Sequence, residues 1–271
     1  MQEKIKKIIK IVIIVFVILT TLAFWIEKGL YFLEDEGDYD YAGFPCYEYG
    51  DIGIIEIKGE IVPYLVYASD SEEPENPDSV SSEDVVHCIG KMQREDGIMG
   101  VVLEINSYGG SPVASEEIMN AIKRLDKPSV AVIREGAVSG AYLIASATNR
   151  IFASEFSDVG GIGITMSYLD YSDKNKKEGV TYQQISAGKF KDTGDPDKPL
   201  TAEEKELLMR DIKILHEAFI KNVSQNRKLE IEKVRKLADG SSMLGASAKE
   251  NGLIDAIGGF KEAENWIMAN Y

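Results

Sequence analysis

The chain has 271 residues, 44% of them hydrophobic, and a formal net charge of −15. That length holds one large domain or two small ones around an ample core, and so acidic a body argues against nucleic acid as a partner, because phosphate backbones demand basic patches. Two cysteines and two histidines provide no metal-ligand grouping, and there is no internal repeat.

The first ten residues carry Lys4, Lys6, Lys7 and Lys10 against Glu3, a local charge of +3 that leaves −18 for everything after them. Sixteen uncharged residues follow, 11–26, and the run extends to Ile8 if Lys10 snorkels toward the headgroups. At roughly 1.5 Å per residue, segment 8–26 reaches about 28 Å, close to one hydrocarbon thickness. The pattern predicts a transmembrane signal anchor. A cleaved signal peptide would have a shorter apolar region ending at a small-x-small site. The nearest such site, Thr21-Leu22-Ala23, lies inside the run and is followed by bulky Phe24-Trp25-Ile26. Basic residues before the span, and Glu27, Glu34, Asp35, Glu36, Asp38 and Asp40 after it, place the N-terminus in the cytoplasm and the body outside a single-pass cell-membrane anchor. The chain then divides into a cytoplasmic tip and anchor (1–33), a juxtamembrane segment (34–50) and an extracytoplasmic domain (51–271). Cys46 and Cys88 lie far apart in sequence and read as independent thiols, with pairing in an oxidising compartment as the alternative.

Residues 52–57 read as a strand closed by Gly59-Glu60. Residues 68–84, with two prolines and many acids, read as a solvated loop. Helices and strands then alternate. A helix is expected over about 82–94, a buried parallel strand over 99–105, a helix over about 113–125, a strand over 129–133, a helix opened by Ser139 and a strand over 150–153. Short strands are expected near 162–166 and 181–185, then a long helix from Thr201 to about Asn226 and two C-terminal helices, about 231–237 and 259–269. Thr201 and Glu204 form a capping box. The alternation argues for an α/β fold with right-handed crossovers.

Ser139 falls where ligands gather in such folds, at the carboxyl end of a strand, with Gly140 beside it and the apolar helix 141–147 behind it. A serine hydroxyl is a poor nucleophile until a base adjoins it, and a lysine desolvated by apolar neighbours can be that base; Lys189, beside Phe190, is the candidate. His87 and His216 each sit in a segment that reads as an ordinary amphipathic helix, so a Ser-His-Asp triad is short of candidates. Backbone donors for an oxyanion could come from Gly109 and Gly110, directly after the 99–105 strand, and from the N–H of Gly140. Each element alone has a plain structural reading: connection chemistry for the glycines, a helix cap for Ser139, and a surface charge for Lys189.

Together these segments resemble the signal peptide peptidase A family of serine peptidases of bacteria and archaea. Ile105-Asn106-Ser107-Tyr108-Gly109-Gly110-Ser111 is similar to its Asn-Ser-Pro-Gly-Gly segment, Ala137-Val138-Ser139-Gly140-Ala141-Tyr142 to its nucleophile segment, and Ile185-Ser186-Ala187-Gly188-Lys189-Phe190-Lys191 to its lysine segment. Ala238-Asp239-Gly240 and residues 252–259 resemble its C-terminal signature. The resemblance implies Ser139 as nucleophile, Lys189 as general base, no cofactor or metal, and peptide substrates such as signal-peptide remnants. It also implies a crotonase/Clp-protease-like fold of repeated β-β-α units and a ring-like homo-oligomer, in which serine and lysine come from one chain or from neighbouring subunits. Tyr108 and Ala141 depart mildly from the family pattern. Gly161 departs more, standing where the family commonly has a serine that orients the lysine; Ser157, Thr165 or an ordered water would have to replace it. Two competing readings follow, an inactive membrane-tethered oligomeric scaffold and an acyl-thioester enzyme on the crotonase fold. The second has no use for the lysine segment.

Overall fold

A computed structural model describes residues 45–67 and 74–271 of the chain. The segment read as a membrane anchor, 8–26, lies outside the described residues, as does most of the juxtamembrane stretch. Among the described residues no helix is long and apolar enough to cross a membrane.

The frame is a mixed sheet in the order β1 (Cys46–Tyr49), β2 (Ile52–Lys58), β5 (Gly100–Ser107), β6 (Ser129–Val138), β7 (Arg150–Ala153), β10 (Ala256–Ile257). All neighbours from β2 to β10 are parallel, and β1 runs antiparallel along the β2 edge. A parallel strand is covered on both faces, which is why 52–57 and 99–105 are almost continuously apolar. The side chains still alternate. Ile55, Ile57, Leu103, Ile105, Ala131 and Ile133 face the larger core, with α1 (Ser82–Arg94), α2 (Pro112–Arg124) and α3 (Gly140–Ser146) packed on it. Ile52, Ile54, Val102, Val130 and Val132 face a smaller core closed by Ala263 and Ile267 of α8 (Phe260–Asn270). Two short strands, β3 (Glu60–Val62) and β4 (Ser79–Ser81), pair separately.

The helix starts follow local chemistry. Ser81 caps α1 by accepting from Asp84 N, and Ser111 caps α2 with Pro112 in its first turn. The expected capping box opens α5 (Ala202–Arg227): Thr201 Oγ1 accepts from Glu204 N, and Thr201 N donates to Glu204 Oε2. Before it lies the short α4 (Ser172–Lys177); after it come α6 (Ile231–Leu237), β9 (Ser242–Leu244) and α7 (Gly245–Asn251).

Four differences from the sequence reading stand out. The sheet begins at Cys46, inside the stretch read as juxtamembrane. No strand forms over 181–185, where Ile185 is 95% exposed and no backbone among the described residues pairs with the segment. The short strand expected near 162–166 sits earlier, as β8 (Asp158–Gly160), which pairs in parallel with the end of β6 and antiparallel with β9. Finally, Cys46 and Cys88 are not independent thiols. They form a disulfide, with Cα atoms 6.0 Å apart, that ties the edge strand β1 to α1 across 42 residues of sequence.

Candidate active site

The site grows from an irregularity in the central strand pair. β5 and β6 run in register from Val101↔Ser129 to Ile105↔Ile133 and resume only at Ser107↔Ala137, so residues 134–136 bulge out of the ladder. The last residues of β6 are thereby turned onto β8, and Ser139 follows at the strand-to-helix corner. Its backbone sits at φ 55°, ψ −127°, a conformation L-residues rarely adopt. Such strain costs about 1–3 kcal/mol and persists only where the surroundings impose it. Here Ser139 N donates to Gly160 O at 2.8 Å, while Ser139 O accepts from Tyr142 N at 3.0 Å and Leu143 N at 3.1 Å.

The helix behind this corner is rigidly seated. Residues 140–146 of α3 are all buried. Tyr142, fully buried, donates its hydroxyl to Leu253 O at 2.9 Å, and burial pushes that hydroxyl well above its usual range. Asn226 Nδ2 of α5 donates to Ser146 Oγ at 2.9 Å. Gly140 is fixed by space: a methyl on it would lie 2.2 Å from Ser115 Oγ of α2.

Gly109 and Gly110 lie against this corner, since a methyl on Gly109 would meet Ser139 Cβ at 2.9 Å and Gly140 N at 3.0 Å. Their amide groups are not equivalent. Gly109 N donates to Ser107 Oγ at 3.1 Å, and that hydroxyl donates to Gly59 O at 2.6 Å. The N–H of Gly109 is therefore already engaged. Those of Gly110 and Gly140 make no hydrogen bond among the described residues. Two unengaged N–H groups next to a strained serine are what an oxyanion site requires.

Ser139, Gly110, Gly140, Gly161 and Thr165 line one cavity of about 690 Å³, walled by Val113, Leu143, Ile164, Leu215 and Phe219. Of the two hydroxyls considered as substitutes at Gly161, Thr165 lies in the cavity wall. Ser157 does not serve: it is buried, donates to Arg134 O at 2.5 Å and accepts from Ser154 N at 3.0 Å. Gly161 itself has φ 59°, and a Cβ there would come within 2.3 Å of Val138 Cγ1. The space a side chain would need is filled by Val138.

Lys189 is not in the cavity wall. Its Nζ is 2.6 Å from Glu203 Oε1 in the first turn of α5 and 5.3 Å from the Phe190 ring centroid, and its side chain is 62% exposed. One chain therefore does not bring Ser139 and Lys189 together. What it does bring to Ser139, unanticipated from the sequence, is His216 on α5, together with Glu116, Asn222 and Asp239. The Nε2 of His216 is shielded from solvent and has no hydrogen-bond partner among the described residues. Nothing in the amphipathic pattern of α5 distinguishes that histidine from its neighbours.

Residues 121–271 match the family model of Peptidase family S49. The chain is 36% identical over 180 residues to a Methanocaldococcus jannaschii protein named "Putative protease", covering 66% of this chain and 58% of that one. It is 36% identical over 176 residues to an Enterococcus faecium protein named "Putative signal peptide peptidase SppA", covering 64% and 51%. With Protease 4 of Haemophilus influenzae it shares 30% over 217 residues, covering 79% and 34%. The chain thus spans between a third and three fifths of the length of these relatives. With the family model covering more than half of the sequence and the serine corner inside that match, the chain belongs to Peptidase family S49.

Proposed function

We propose that this chain is a membrane-anchored serine endopeptidase in which Ser139 is the nucleophile and Lys189 of a neighbouring copy is the general base. Its substrates on this reading are short apolar peptides such as signal-peptide remnants. The observation that carries it is the strained Ser139 corner with the unengaged N–H groups of Gly110 and Gly140 beside it. The anchor is segment 8–26, the body lies on the extracytoplasmic side, and the α/β sheet is taken as a crotonase/Clp-protease-like arrangement of β-β-α units.

In this mechanism Ser139 Oγ attacks the scissile carbonyl carbon as its proton passes to the neutral amine of Lys189. The carbonyl oxygen becomes an oxyanion held by the N–H groups of Gly110 and Gly140, a contribution of about 3 kcal/mol per donor. Collapse expels the peptide amine, which takes the proton from Lys189, and leaves an ester on Ser139. Water, deprotonated by the same lysine, then hydrolyses the ester and returns the proton to Ser139 Oγ. The placement of Lys189 supports a base supplied in trans. Lys189 is outside the Ser139 cavity of its own chain and stands on a surface segment carrying Met166, Leu169, Val180 and Ile185, all exposed. Apolar side chains so arranged suit burial against a second copy in a ring-like homo-oligomer. Thr165, at the rim, is the hydroxyl that would orient the incoming amine.

A second reading, an inactive membrane-tethered scaffold, draws on the Lys189–Glu203 ion pair and on Gly161. Labelling with a fluorophosphonate separates the two. The endopeptidase reading predicts labelling of the wild type at Ser139, none in Ser139→Ala, and about 100-fold slower labelling in Lys189→Ala. An unlabelled wild type that cleaves no peptide in detergent leaves the scaffold reading standing.

A further inference from the structure

The Ser139 cavity has apolar walls, yet its charged lining residues are all of one sign. Glu116 comes from α2 and Asp239 from the segment between α6 and β9; among the described residues no lysine or arginine lines the cavity, and the remaining titratable neighbours are Tyr108 and His216. Asp239 accepts from Ser241 N at 2.9 Å and Ser241 Oγ at 2.5 Å, and these bonds hold its carboxyl below the usual range, so it is ionised at neutral pH. The negative charge of Glu116 is felt by Lys123, two turns further along α2 and outside the cavity lining. Neither carboxylate is neutralised by an ion pair among the described residues.

A peptide that fills this cavity displaces water from both carboxylates. A neutral peptide leaves Glu116 without a cation and Asp239 with its Ser241 bonds alone, an acidic one is repelled, and a basic side chain supplies a charge-assisted hydrogen bond. We propose that the site selects apolar peptides bearing a basic side chain next to the scissile segment, with Glu116 and Asp239 as the specificity-determining residues. This rests on the cavity being the peptide site described above, and it adds to that reading the substrate's charge.

The test uses the full chain in detergent and fluorescent peptides of one apolar sequence, in which a single position is lysine, norleucine or glutamate and is scanned along the peptide. Binding is measured first, by anisotropy, to the Ser139→Ala protein, so that no turnover is needed. At about 50 mM salt the lysine peptide should bind about 10-fold more tightly than the glutamate peptide at the best position, and the ratio should shrink toward one at about 0.5 M salt. In the added presence of Glu116→Gln and Asp239→Asn the ratio should fall to about 2 or less, and Glu116→Lys combined with Asp239→Asn should invert it. Because each ratio is taken within one protein, a general loss of affinity does not alter it. A ratio near one in the parent protein, or a preference that survives the two substitutions, overturns the proposal. Cleavage by the wild type is then scored separately. Charge-selective binding without cleavage retains this inference and sinks the peptidase reading, whereas cleavage indifferent to charge does the reverse.

Discussion

Reducing the Cys46–Cys88 disulfide should destabilise the domain far more than the loss of one surface contact would. The bond closes a loop of 42 residues. In the chain-entropy treatment, opening a loop of that length releases about 13 cal/mol/K to the unfolded chain, or about 4 kcal/mol at room temperature. The folded state changes little, because β1 remains paired with β2 over four residues and Cys88 remains buried in the main core. For a domain of this size, 4 kcal/mol corresponds to a fall in Tm of about 8–16 °C. Differential scanning fluorimetry with and without a phosphine reductant reads this directly, and a Cys46→Ala/Cys88→Ala protein should match the reduced wild type without responding to reductant. Two findings would refute the reasoning: two maleimide adducts on unreduced, denatured protein, or a Tm that reductant does not move. The same bond bears on location, since a structural disulfide persists in an oxidising compartment, in keeping with a body proposed to lie outside the cytoplasm.

Three further perturbations have defined outcomes. Gly161→Ser, which installs the serine that the sequence resemblance implies at this position, should cost about 2 kcal/mol in urea denaturation, because φ is 59° there and the new Cβ meets Val138 Cγ1; adding Val138→Ala should recover the steric part alone, and a fully stable single variant would contradict the geometry. Tyr142→Phe should cost about 1–3 kcal/mol by stranding the buried Leu253 carbonyl, measured in the same way. Hydrogen bonds from Lys198 and Thr201 hold the Glu204 carboxyl down at about 2. A depressed carboxyl stabilises the fold above its unfolded value, near 4.3, and that stabilisation is lost as pH falls through its folded value. The Tm gap between wild type and Glu204→Gln should therefore be full at pH 7 and close between about pH 4.3 and 2; a gap that does not change with pH would exclude this ionisation as its source.

Much of the frame could be read from the residues because the signals were local. The apolar run that became β5, the cap at Thr201 and the helix behind Ser139 each follow from spacing within a few residues. Features decided by distant neighbours could not. Whether Cys46 meets Cys88 depends on β1 folding back along β2, which no spacing rule contains. Ser157 looked like a free hydroxyl until β6 bulged and placed the Arg134 carbonyl over it. Gly109 and Gly110 are alike in sequence, but only one N–H is claimed by Ser107 Oγ. His216 and Ser139 are brought to one cavity by the packing of α5 across α3, and the segment 181–185, read as a strand, pairs with no strand among the described residues.

The central claim is that Ser139 is activated by Lys189 from another copy, and co-expression of two inactive variants tests it most directly. Ser139→Ala keeps every lysine and Lys189→Ala keeps every serine. In randomly mixed rings, about a quarter of the sites would join an intact Ser139 to an intact Lys189 of the neighbour. The mixed protein should regain fluorophosphonate labelling and peptide cleavage at about a quarter of the wild-type level, while Ser139→Ala alone is unlabelled and Lys189→Ala alone labels about 100-fold more slowly than the wild type. Mixed protein as inactive as its parents, from rings shown to contain both chains, would contradict it.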